Sequence, residues 1–284
     1  MLLSVENWHT RRAYGDMKAI EIIADAGFDG IDFSFNDMYD WEKVMESQDS
    51  LDYARTLRTY AKEYGICFSQ AHAPLRFRYG MKFTQEEREF RYITKSMEFA
   101  AELGVPILVV HGIDTPRYAD VFEYNLEFYR ALLPYCEKYG VKVGVENLFE
   151  FYADGVITAT KFGTPDSFNK MLEILDNPYY VGCVDVGHAK LTGHAPGAFI
   201  RAVEKHVQCL HLHGNDGILD SHNLPYLAPF DWEDTIQALK DIHYKGNFNF
   251  ELIGYLGKFP KELLPVALKL AAATGRYLIS KLEK

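Results

Sequence analysis

The chain is poor in cysteine and has no long apolar run. Its four cysteines, Cys67, Cys136, Cys183 and Cys209, sit in apolar segments without paired spacing, so we expect reduced, buried thiols and no disulfide framework. No stretch approaches the ~20 apolar residues of a membrane span. The N-terminus, MLLSVENWHT, lacks a basic region followed by a long apolar run. We therefore expect a cytoplasmic protein with neither a signal peptide nor a membrane partner.

Positive charge is also scarce, because 30 lysines and arginines stand against 40 aspartates and glutamates, for a formal net charge of −10. Affinity for nucleic acid comes largely from lysine and arginine on phosphates. We therefore expect no nucleic-acid partner, although the net charge does not exclude a local basic groove. No glycine-rich phosphate-binding fingerprint follows the first strand, which argues against an open dinucleotide-binding sheet.

Short apolar strands alternate with longer amphipathic helices along all 284 residues. Periodicity predicts strands over 2–5, 28–34, 66–72, 105–111, 141–147, 180–185, 207–213 and 248–251. It predicts helices over 16–26, 51–64, 84–103, 121–139, 164–175, 196–205, 232–242 and 260–282, with Thr84 and Thr164 as N-caps. No linker or low-complexity block divides the series. We predict one α/β domain over 1–284, a single (β/α)8 TIM barrel, with an open doubly wound sheet as the alternative.

Side chains that bind metals stand at the predicted C-terminal ends of the strands, where TIM barrels carry their active sites. These residues are Asp32, His72, His111, Glu146, Asp185, His213 and Glu251. Strand alternation turns several of them towards one lumen. Because ionisable groups are costly to bury unpaired, we expect divalent cations among them. A donor set of nitrogen and oxygen suits Zn²⁺, Mn²⁺, Co²⁺ or Fe²⁺.

The densest run of such side chains is 207–222, VQCLHLHGNDGILDSH, in which His211, His213, Asp216, Asp220 and His222 could bind a metal. Alternation puts His211 and His213 on the same face. His211 lies one layer deeper, so we expect it to support a metal ligand and not to bind directly. Asp32 either contacts substrate or caps local structure. We interpret His9, His194, His206 and His243 as hydrogen-bonded structural residues.

Seven short motifs, in this order and spacing, resemble the xylose isomerase-like TIM barrel superfamily, which includes sugar isomerases and epimerases and endonuclease IV. They are His72-Ala73-Pro74, Val110-His111-Gly112, Val145-Glu146-Asn147, Asp185-Val186-Gly187-His188, His213-Gly214-Asn215-Asp216, Asp220-Ser221-His222 and Phe250-Glu251. The run that continues to Asp231-Trp232 is most similar to the sugar phosphate isomerase/epimerase-like group.

The resemblance implies two sets of metal ligands. In the mononuclear sugar epimerases one cation is held by counterparts of Glu146, Asp185, His213 and Glu251, and His188 contacts substrate oxygens. In endonuclease IV-like members three cations share a larger set. The counterparts of that set are His72, His111 and Glu146 for the first cation and Glu146, Asp185, His213 and Glu251 for the second. For the third cation they are His188, Asp220 and His222. We therefore expect one to three divalent cations per chain.

The function we favour is a metal-dependent isomerase or epimerase of a small-molecule sugar or sugar phosphate. Glu146 and Glu251 would transfer the proton, and His188, Asp32 and Arg76 (or Arg78) would bind the substrate. Aromatic side chains near the first two strand ends would stack on a sugar or cover the barrel mouth; they are Trp8, Phe35, Tyr39 and Trp41.

Two other functions remain open. One is an endonuclease IV-like multi-metal phosphodiesterase or AP endonuclease, which the nine potential ligands favour and the negative charge opposes. The other is a non-catalytic barrel that binds a sugar or a metal. The sequence is compatible with a homo-oligomer and does not decide its size.

Overall fold

A computed structural model of the chain describes residues 1–36, 43–75, 78–113, 120–151, 157–158 and 162–284, and places eight parallel strands in a nearly closed barrel. In chain order the barrel strands are β1 (Leu3–Glu6), β2 (Gly30–Ser34), β3 (Cys67–His72), β4 (Ile107–Val110), β5 (Lys142–Glu146), β6 (Tyr180–Asp185), β7 (Val207–His211) and β8 (Phe248–Phe250). Neighbouring strands pair in sequence order, and β1 pairs with β8. A bridge between Leu212 and Phe250 joins the last two strands. The predicted (β/α)8 TIM barrel is confirmed.

Helices connect the strands. The α-helices are Trp8–Tyr14, Asp16–Ala26, Ser50–Glu63, Arg88–Leu103, Val121–Tyr139, Pro165–Leu175, Val186–Leu191, Pro196–Ala202, Trp232–Asp241, Ile253–Leu256 and Leu264–Leu282, and two 3-10 turns lie at Glu204–His206 and Lys261–Leu263. A small hairpin pairs Glu150–Phe151 with Ile157–Thr158. Three of the helices, Trp8–Tyr14, Val186–Leu191 and Ile253–Leu256, were not predicted, because four to seven residues are too few to show helical periodicity.

Helix caps explain where two of the predicted helices begin. Thr164 accepts a hydrogen bond from the backbone N–H of Ser167 at 3.2 Å, and Ser167 Oγ accepts one from the N–H of Thr164 at 3.3 Å, so a capping box starts the helix as predicted. The prediction for Thr84 was wrong. That helix begins at Arg88, after an extended Glu87 without a side-chain cap. A turn, closed by Glu87 N–H on Thr84 O at 3.1 Å, occupies the preceding residues.

The barrel interior changes from apolar to polar along the strand direction. A small apolar cluster inside it consists of Ile107, Val109, Val181, Cys183 and Cys209. Because side chains alternate along a strand, the next inward position after Val109 is His111, after Cys183 is Asp185, and after Cys209 is His211. On β5 the corresponding inward position is Gly144, where an added Cβ would lie 3.2 Å from Cys209 Sγ. Glu146 follows it, so the polar layer lies directly on the apolar one.

Two expectations about burial and hydrophobicity need correction. Cys67 is exposed, at the first residue of β3, whereas Cys136, Cys183 and Cys209 are buried free thiols as predicted. The final helix, Lys261–Leu282, is long and apolar enough to cross a membrane by length and composition, so one stretch does approach a span. Its packing is that of a barrel helix, because an added Cβ on Gly275 would lie 2.5 Å from Leu3 of β1 and 3.0 Å from Phe250 of β8.

We expect Thr164→Ala to lower the free energy of unfolding by about 1 kcal/mol, because the substitution removes the side-chain acceptor of the capping box. Urea denaturation followed by circular dichroism measures the change. Thr84→Ala is the matched control, since Thr84 caps no helix, and it should stay within about 0.5 kcal/mol of wild type. Equal losses in the two variants would contradict the assignment of the cap.

Candidate metal centre

Four buried ligand atoms meet at the C-terminal end of the barrel. Nδ1 of His211 lies 3.0 Å from Glu146 Oε1, 3.4 Å from Glu251 Oε2 and 4.0 Å from Asp185 Oδ2. All four atoms lie within 4.8 Å of one another. They come from the ends of β5, β6 and β7 and from the residue after β8. We call Glu146, Asp185, His211 and Glu251 the inner group.

The second oxygen of Glu146 faces two further histidines. Glu146 Oε2 lies 2.8 Å from His111 Nε2 and 3.7 Å from His72 Nε2, and the two Nε2 atoms are 3.1 Å apart. Oε2 is buried and makes no hydrogen bond of acceptable geometry with the described residues. The close approach of one carboxylate oxygen and two imidazole nitrogens, with a hydrogen bond only between the nitrogens, fits a shared cation. Glu146 therefore has potential metal ligands on both of its oxygens.

A second cluster of ligands continues from Asp185 towards the barrel mouth. It consists of His188, His213, Asp220 and His222, which we call the outer group. Asp220 is its centre: its Oδ2 lies 2.8 Å from His222 Nε2 and 3.5 Å from His188 Nε2, and its Oδ1 lies 3.8 Å from His213 Nε2. His213 Nε2 is also 3.1 Å from Asp185 Oδ2. Asp185 therefore joins the two groups.

Backbone carbonyls fix the rings of three of these histidines. Nδ1 of His72 bonds Ala73 O at 2.8 Å, Nδ1 of His188 bonds Asn147 O at 3.0 Å, and Nδ1 of His222 bonds Glu251 O at 3.2 Å. A carbonyl only accepts, so each Nδ1 carries the donated hydrogen, and Nε2 is the nitrogen that faces the cluster and can bind a cation once it has lost its own proton. This is the arrangement that histidine ligands of metals usually adopt.

Local backbone structure sets the position of Asp185 and of the ligands that follow it. Asn147 Oδ1 accepts from the N–H of Asp185 at 2.8 Å, and Asn147 Nδ2 donates to Asp185 O at 2.9 Å. Asp185 Oδ1 in turn accepts from the N–H of His188 at 2.7 Å and caps the helix Val186–Leu191. One carboxylate thus orients the helix that carries His188 and offers its other oxygen to both groups.

Two glycines allow the outer ligands to approach. An added Cβ on Gly187 would lie 2.0 Å from His213 Cε1, and one on Gly254 would lie 2.0 Å from Ser221 O. His222 itself adopts a φ of 39°, in the left-handed region that non-glycine residues rarely occupy. Such conformations are concentrated at functional sites, where surrounding contacts hold them.

Charge in the centre is balanced between carboxylates and imidazoles. Burial raises the pKa of Glu146, but the charges of His211 and His111 outweigh it and hold that pKa well below its usual range. Burial lowers the pKa of His188, but Asp185 and Asp220 raise it to about 10. Burial likewise lowers the pKa of His222, and Glu251 and Asp220 raise it to about 9. Protonated imidazoles therefore supply the positive charge that the carboxylates require, and divalent cations could replace it.

The predicted metal-binding residues are all brought to this centre: His72, His111, Glu146, Asp185, His188, His213, Asp220, His222 and Glu251. His211 lies one layer deeper than His213, as predicted, but that deeper layer is level with the other ligands of the inner group. The β6–β7 register pairs Asp185 with His211, so His211 belongs to the inner group. His213 lies beyond the end of β7 and belongs to the outer group.

The predicted substrate-binding residues have different outcomes. Asp32 is fully buried and makes hydrogen bonds inside the barrel, so a direct contact with substrate does not fit its position. Arg78 pairs with Glu87 and Glu89 at the surface. Arg76 lies outside the described residues.

The four aromatic residues predicted near the barrel mouth also have different positions in the structure. Phe35 is fully buried and packs against Phe33 and Phe99, so it does not line the barrel mouth. Trp8 is partly buried, under the guanidinium of Arg12. Tyr39 and Trp41 lie outside the described residues.

One buried carboxyl group was missed. Glu6 ends β1 with 1% of its surface exposed, and its Oε1 accepts a hydrogen bond from the N–H of Trp8. Burial, followed by the charges of Glu251 and Asp32, raises the pKa of Glu6 well above its usual value. The sequence carried the signal, because Glu6 directly follows the strand predicted over 2–5; ending that strand one residue early hid it.

Comparisons with known proteins agree with this fold. The chain is 26% identical over 167 residues to the uncharacterized protein MJ1311 of Methanocaldococcus jannaschii, covering 56% of this chain and 55% of that protein. It is 25% identical over 177 residues to the uncharacterized protein y4fM of Sinorhizobium fredii, covering 59% and 53%. The matched part of the chain thus spans about half the length of these curated relatives.

Solved structures cover nearly the whole chain. A D-tagatose 3-epimerase-like protein superposes with a TM-score of 0.74 at 19% identity, covering 99% of this chain and 97% of that one. D-psicose 3-epimerase in the presence of D-fructose gives 0.75 at 17%, covering 98% and 99%. The IOLI protein with a bound zinc atom gives 0.72 at 17%, covering 99% and 98%. At these identities the likeness shows the fold.

The sequence model of the family described as xylose isomerase-like TIM barrel matches residues 20–270, and the chain therefore belongs to that family.

Proposed function

We propose that this chain is a divalent-metal-dependent isomerase or epimerase of sugars or sugar phosphates. The observation that carries the proposal is the inner group, in which two glutamates and an aspartate from separate strands converge on His211 Nδ1 within 4.8 Å. Support also comes from the structural neighbours, which include epimerases solved with D-fructose and with D-tagatose. The net charge of −10 favours a small neutral or metal-chelated substrate over nucleic acid.

The residues of the inner group fit a divalent cation. Their donor atoms are three carboxylate oxygens and one imidazole nitrogen, all buried, a set that suits Zn²⁺, Mn²⁺, Co²⁺ or Fe²⁺. In the described structure these carboxylates form ion pairs with the imidazole of His211. This ring must lose a proton from the ligand nitrogen before it can bind a cation. A divalent cation held there would polarise a substrate carbonyl and acidify the neighbouring C–H bond.

Glu146 and Glu251 would move the proton. Glu146 Oε1 and Glu251 Oε2 face His211 Nδ1, so the second oxygen of each carboxylate would take part in proton transfer. On Glu146 this oxygen is Oε2, which lies beside His111 Nε2. One glutamate would remove the proton from the carbon next to the carbonyl, and the other would return it from the other side. His188, 4% exposed, would orient a substrate hydroxyl.

A second candidate is a multi-metal phosphodiesterase, and one observation favours it. Glu146 Oε2 lies between His111 and His72, and the outer group adds four more ligands. Glu146, His111 and His72 would hold one cation and the inner group another, and the cations would supply a water-derived nucleophile that forms a bond to phosphorus as the ester oxygen leaves. In that arrangement Glu146 has no free oxygen to accept a proton from carbon, so the two candidates predict different roles for the same residue.

The proton-transfer role predicts exchange at carbon. Wild-type protein loaded with Mn²⁺, Co²⁺ or Zn²⁺ should incorporate deuterium from D₂O into a ketose at the carbon beside the carbonyl, measured by NMR over a panel of sugars and sugar phosphates. Glu146→Gln should slow exchange by about 10²- to 10⁴-fold with an unchanged circular dichroism spectrum. Glu63→Gln, on an exposed helix face, is the control and should exchange normally. Exchange at the wild-type rate by Glu146→Gln would remove Glu146 from the mechanism.

Metal content separates the two candidates. Elemental analysis of purified protein after dialysis should find one tightly held divalent ion per chain for the isomerase or epimerase, and three for the phosphodiesterase. A duplex with one abasic site is the matched substrate for the second candidate. Cleavage of that duplex, together with no deuterium exchange into any sugar, would overturn our proposal.

Cation binding should release protons and strengthen as the pH rises. His188 and His222 have pKa values of about 10 and about 9 in the protein without metal, so both are protonated at neutral pH and protons compete with the cation. Affinity for Zn²⁺ at the outer group should therefore rise between pH 6.5 and 9. Calorimetric titration in buffers of different ionisation enthalpy counts the protons released. No release at pH 7 would contradict metal ligation by these rings.

A further inference from the structure

Asp32 lies in a buried polar layer under the inner group. Its neighbours in this layer are Gln70 of β3 and Asn249 of β8, each two residues before a residue of the metal centre, His72 and Glu251 respectively. All three side chains are fully buried. By strand alternation they point inward one step below the centre.

Two amide groups fix the position of one Asp32 oxygen. Gln70 Nε2 and Asn249 Nδ2 each donate to Asp32 Oδ2 at 2.8 Å. The orientation of each amide is set by a further partner. Asn249 Oδ1 accepts from Ser4 Oγ at 2.8 Å, and Gln70 Nε2 also donates to Leu210 O at 3.4 Å. Both nitrogens therefore face Asp32, and its Oδ2 can act only as an acceptor.

The same oxygen faces the imidazole of the inner group. Asp32 Oδ2 lies 3.5 Å from His211 Nε2, on the opposite edge of the ring from Nδ1. This is longer than an ordinary N–H···O distance of about 2.9 Å. A small tilt of the ring towards Asp32 would close the gap. Such a tilt can occur when a cation, instead of His211 Nδ1, compensates the charge of the inner-group carboxylates.

We infer that Asp32 is a positioning residue that keeps the hydrogen of His211 on Nε2, so that Nδ1 binds the cation. The inference rests on the inner-group cation site of the proposed function and is independent of the reaction catalysed there. A carboxylate behind a metal-binding histidine fixes the tautomer and raises the basicity of the ligand nitrogen. Five strands contribute to this support: β1, β2, β3, β7 and β8.

The inference explains why a carboxylate occupies this position. Leaving a negative charge in the lumen is costly unless hydrogen bonds and a cation compensate it. Two amide donors and one imidazole donor, together with the cation beyond the ring, provide that compensation for Asp32. A neutral side chain would keep the amide contacts in part and lose the charge that acts through His211.

The experiment compares zinc affinity in three variants by competition with a chromophoric chelator. His211→Gln identifies the binding step that depends on the inner group, because that step is lost. Asp32→Asn, which keeps the shape of the side chain, should weaken the same step by about 10- to 100-fold and leave the other steps unchanged. Asp29→Asn is the matched control. Asp29 lies just before the same strand, where it pairs with Arg276, so its loss should affect stability and not zinc affinity.

A second measurement uses the wild-type chain and stays informative if Asp32→Asn does not fold. In zinc-loaded protein labelled with ¹⁵N-histidine, long-range ¹H–¹⁵N spectra should show a protonated Nε2 and a metal-bound Nδ1 for His211. The inference is overturned if Nε2 is the zinc-bound atom, or if Asp32→Asn binds zinc as wild type does. If His211→Gln retains every zinc-binding step of wild type, the proposed function fails together with this inference. If that step exists and Asp32→Asn leaves it intact, only the positioning role fails.

Discussion

The mutual compensation of buried carboxylates and imidazoles is the constraint on which this structure depends. Glu146, Asp185 and Asp32 lose all contact with solvent, and each has an imidazole as its ion-pair partner. Placing such groups in one lumen without compensation would cost several kcal/mol for each charge. The arrangement is stable only if protons on the histidines, or divalent cations between them, neutralise the carboxylates. That requirement links the fold of the barrel to its chemistry.

The barrel meets this requirement by layering. Two residues below the metal-binding side chains, the inward positions are apolar on β4, β6 and β7, and on β3 and β8 they carry Gln70 and Asn249, which bond Asp32. Each layer is two residues above the one below, since that is the repeat of inward-facing side chains in a strand. Gly144 shows how tightly the lower of these layers is packed, because an added Cβ there would lie 3.2 Å from Cys209 Sγ.

Backbone groups contribute as much to the centre as side chains do. The carbonyls of Ala73, Asn147 and Glu251 orient three rings, and each carbonyl is available because its residue lies just past a strand. The helix Val186–Leu191 begins directly at Asp185 and brings His188 back over the lumen. The positions of the metal-binding side chains therefore depend on where the strands end, and a shift of one residue would turn a ligand away from the cluster.

The alternation of short apolar strands with amphipathic helices was sufficient to predict the barrel from the sequence. Strand-end position also identified six of the ten residues that form the inner and outer groups and the His72 and His111 pair. The resemblance to the family implied three more, His188, Asp220 and His222. Boundaries such as Asp16–Ala26, Val121–Tyr139 and Tyr180–Asp185 agree exactly with the structure, because periodicity and end signals coincide there. Short helices and the hairpin Glu150–Phe151 with Ile157–Thr158 could not be found in this way, since they are too short for a periodic pattern to repeat.

The sequence by itself determined which residue types face the lumen, because side-chain direction follows from position along a strand. It could not determine which side chains from different strands lie at the same level. Both His211 and His213 have the correct parity, and only the pairing of Asp185 with His211 across β6 and β7 puts His211 level with the glutamates. Asp32 likewise has a strand-end position in the sequence, yet tertiary structure buries it among Gln70, Asn249 and His211. Register and barrel closure are properties of several strands together, so no single stretch of sequence contains them.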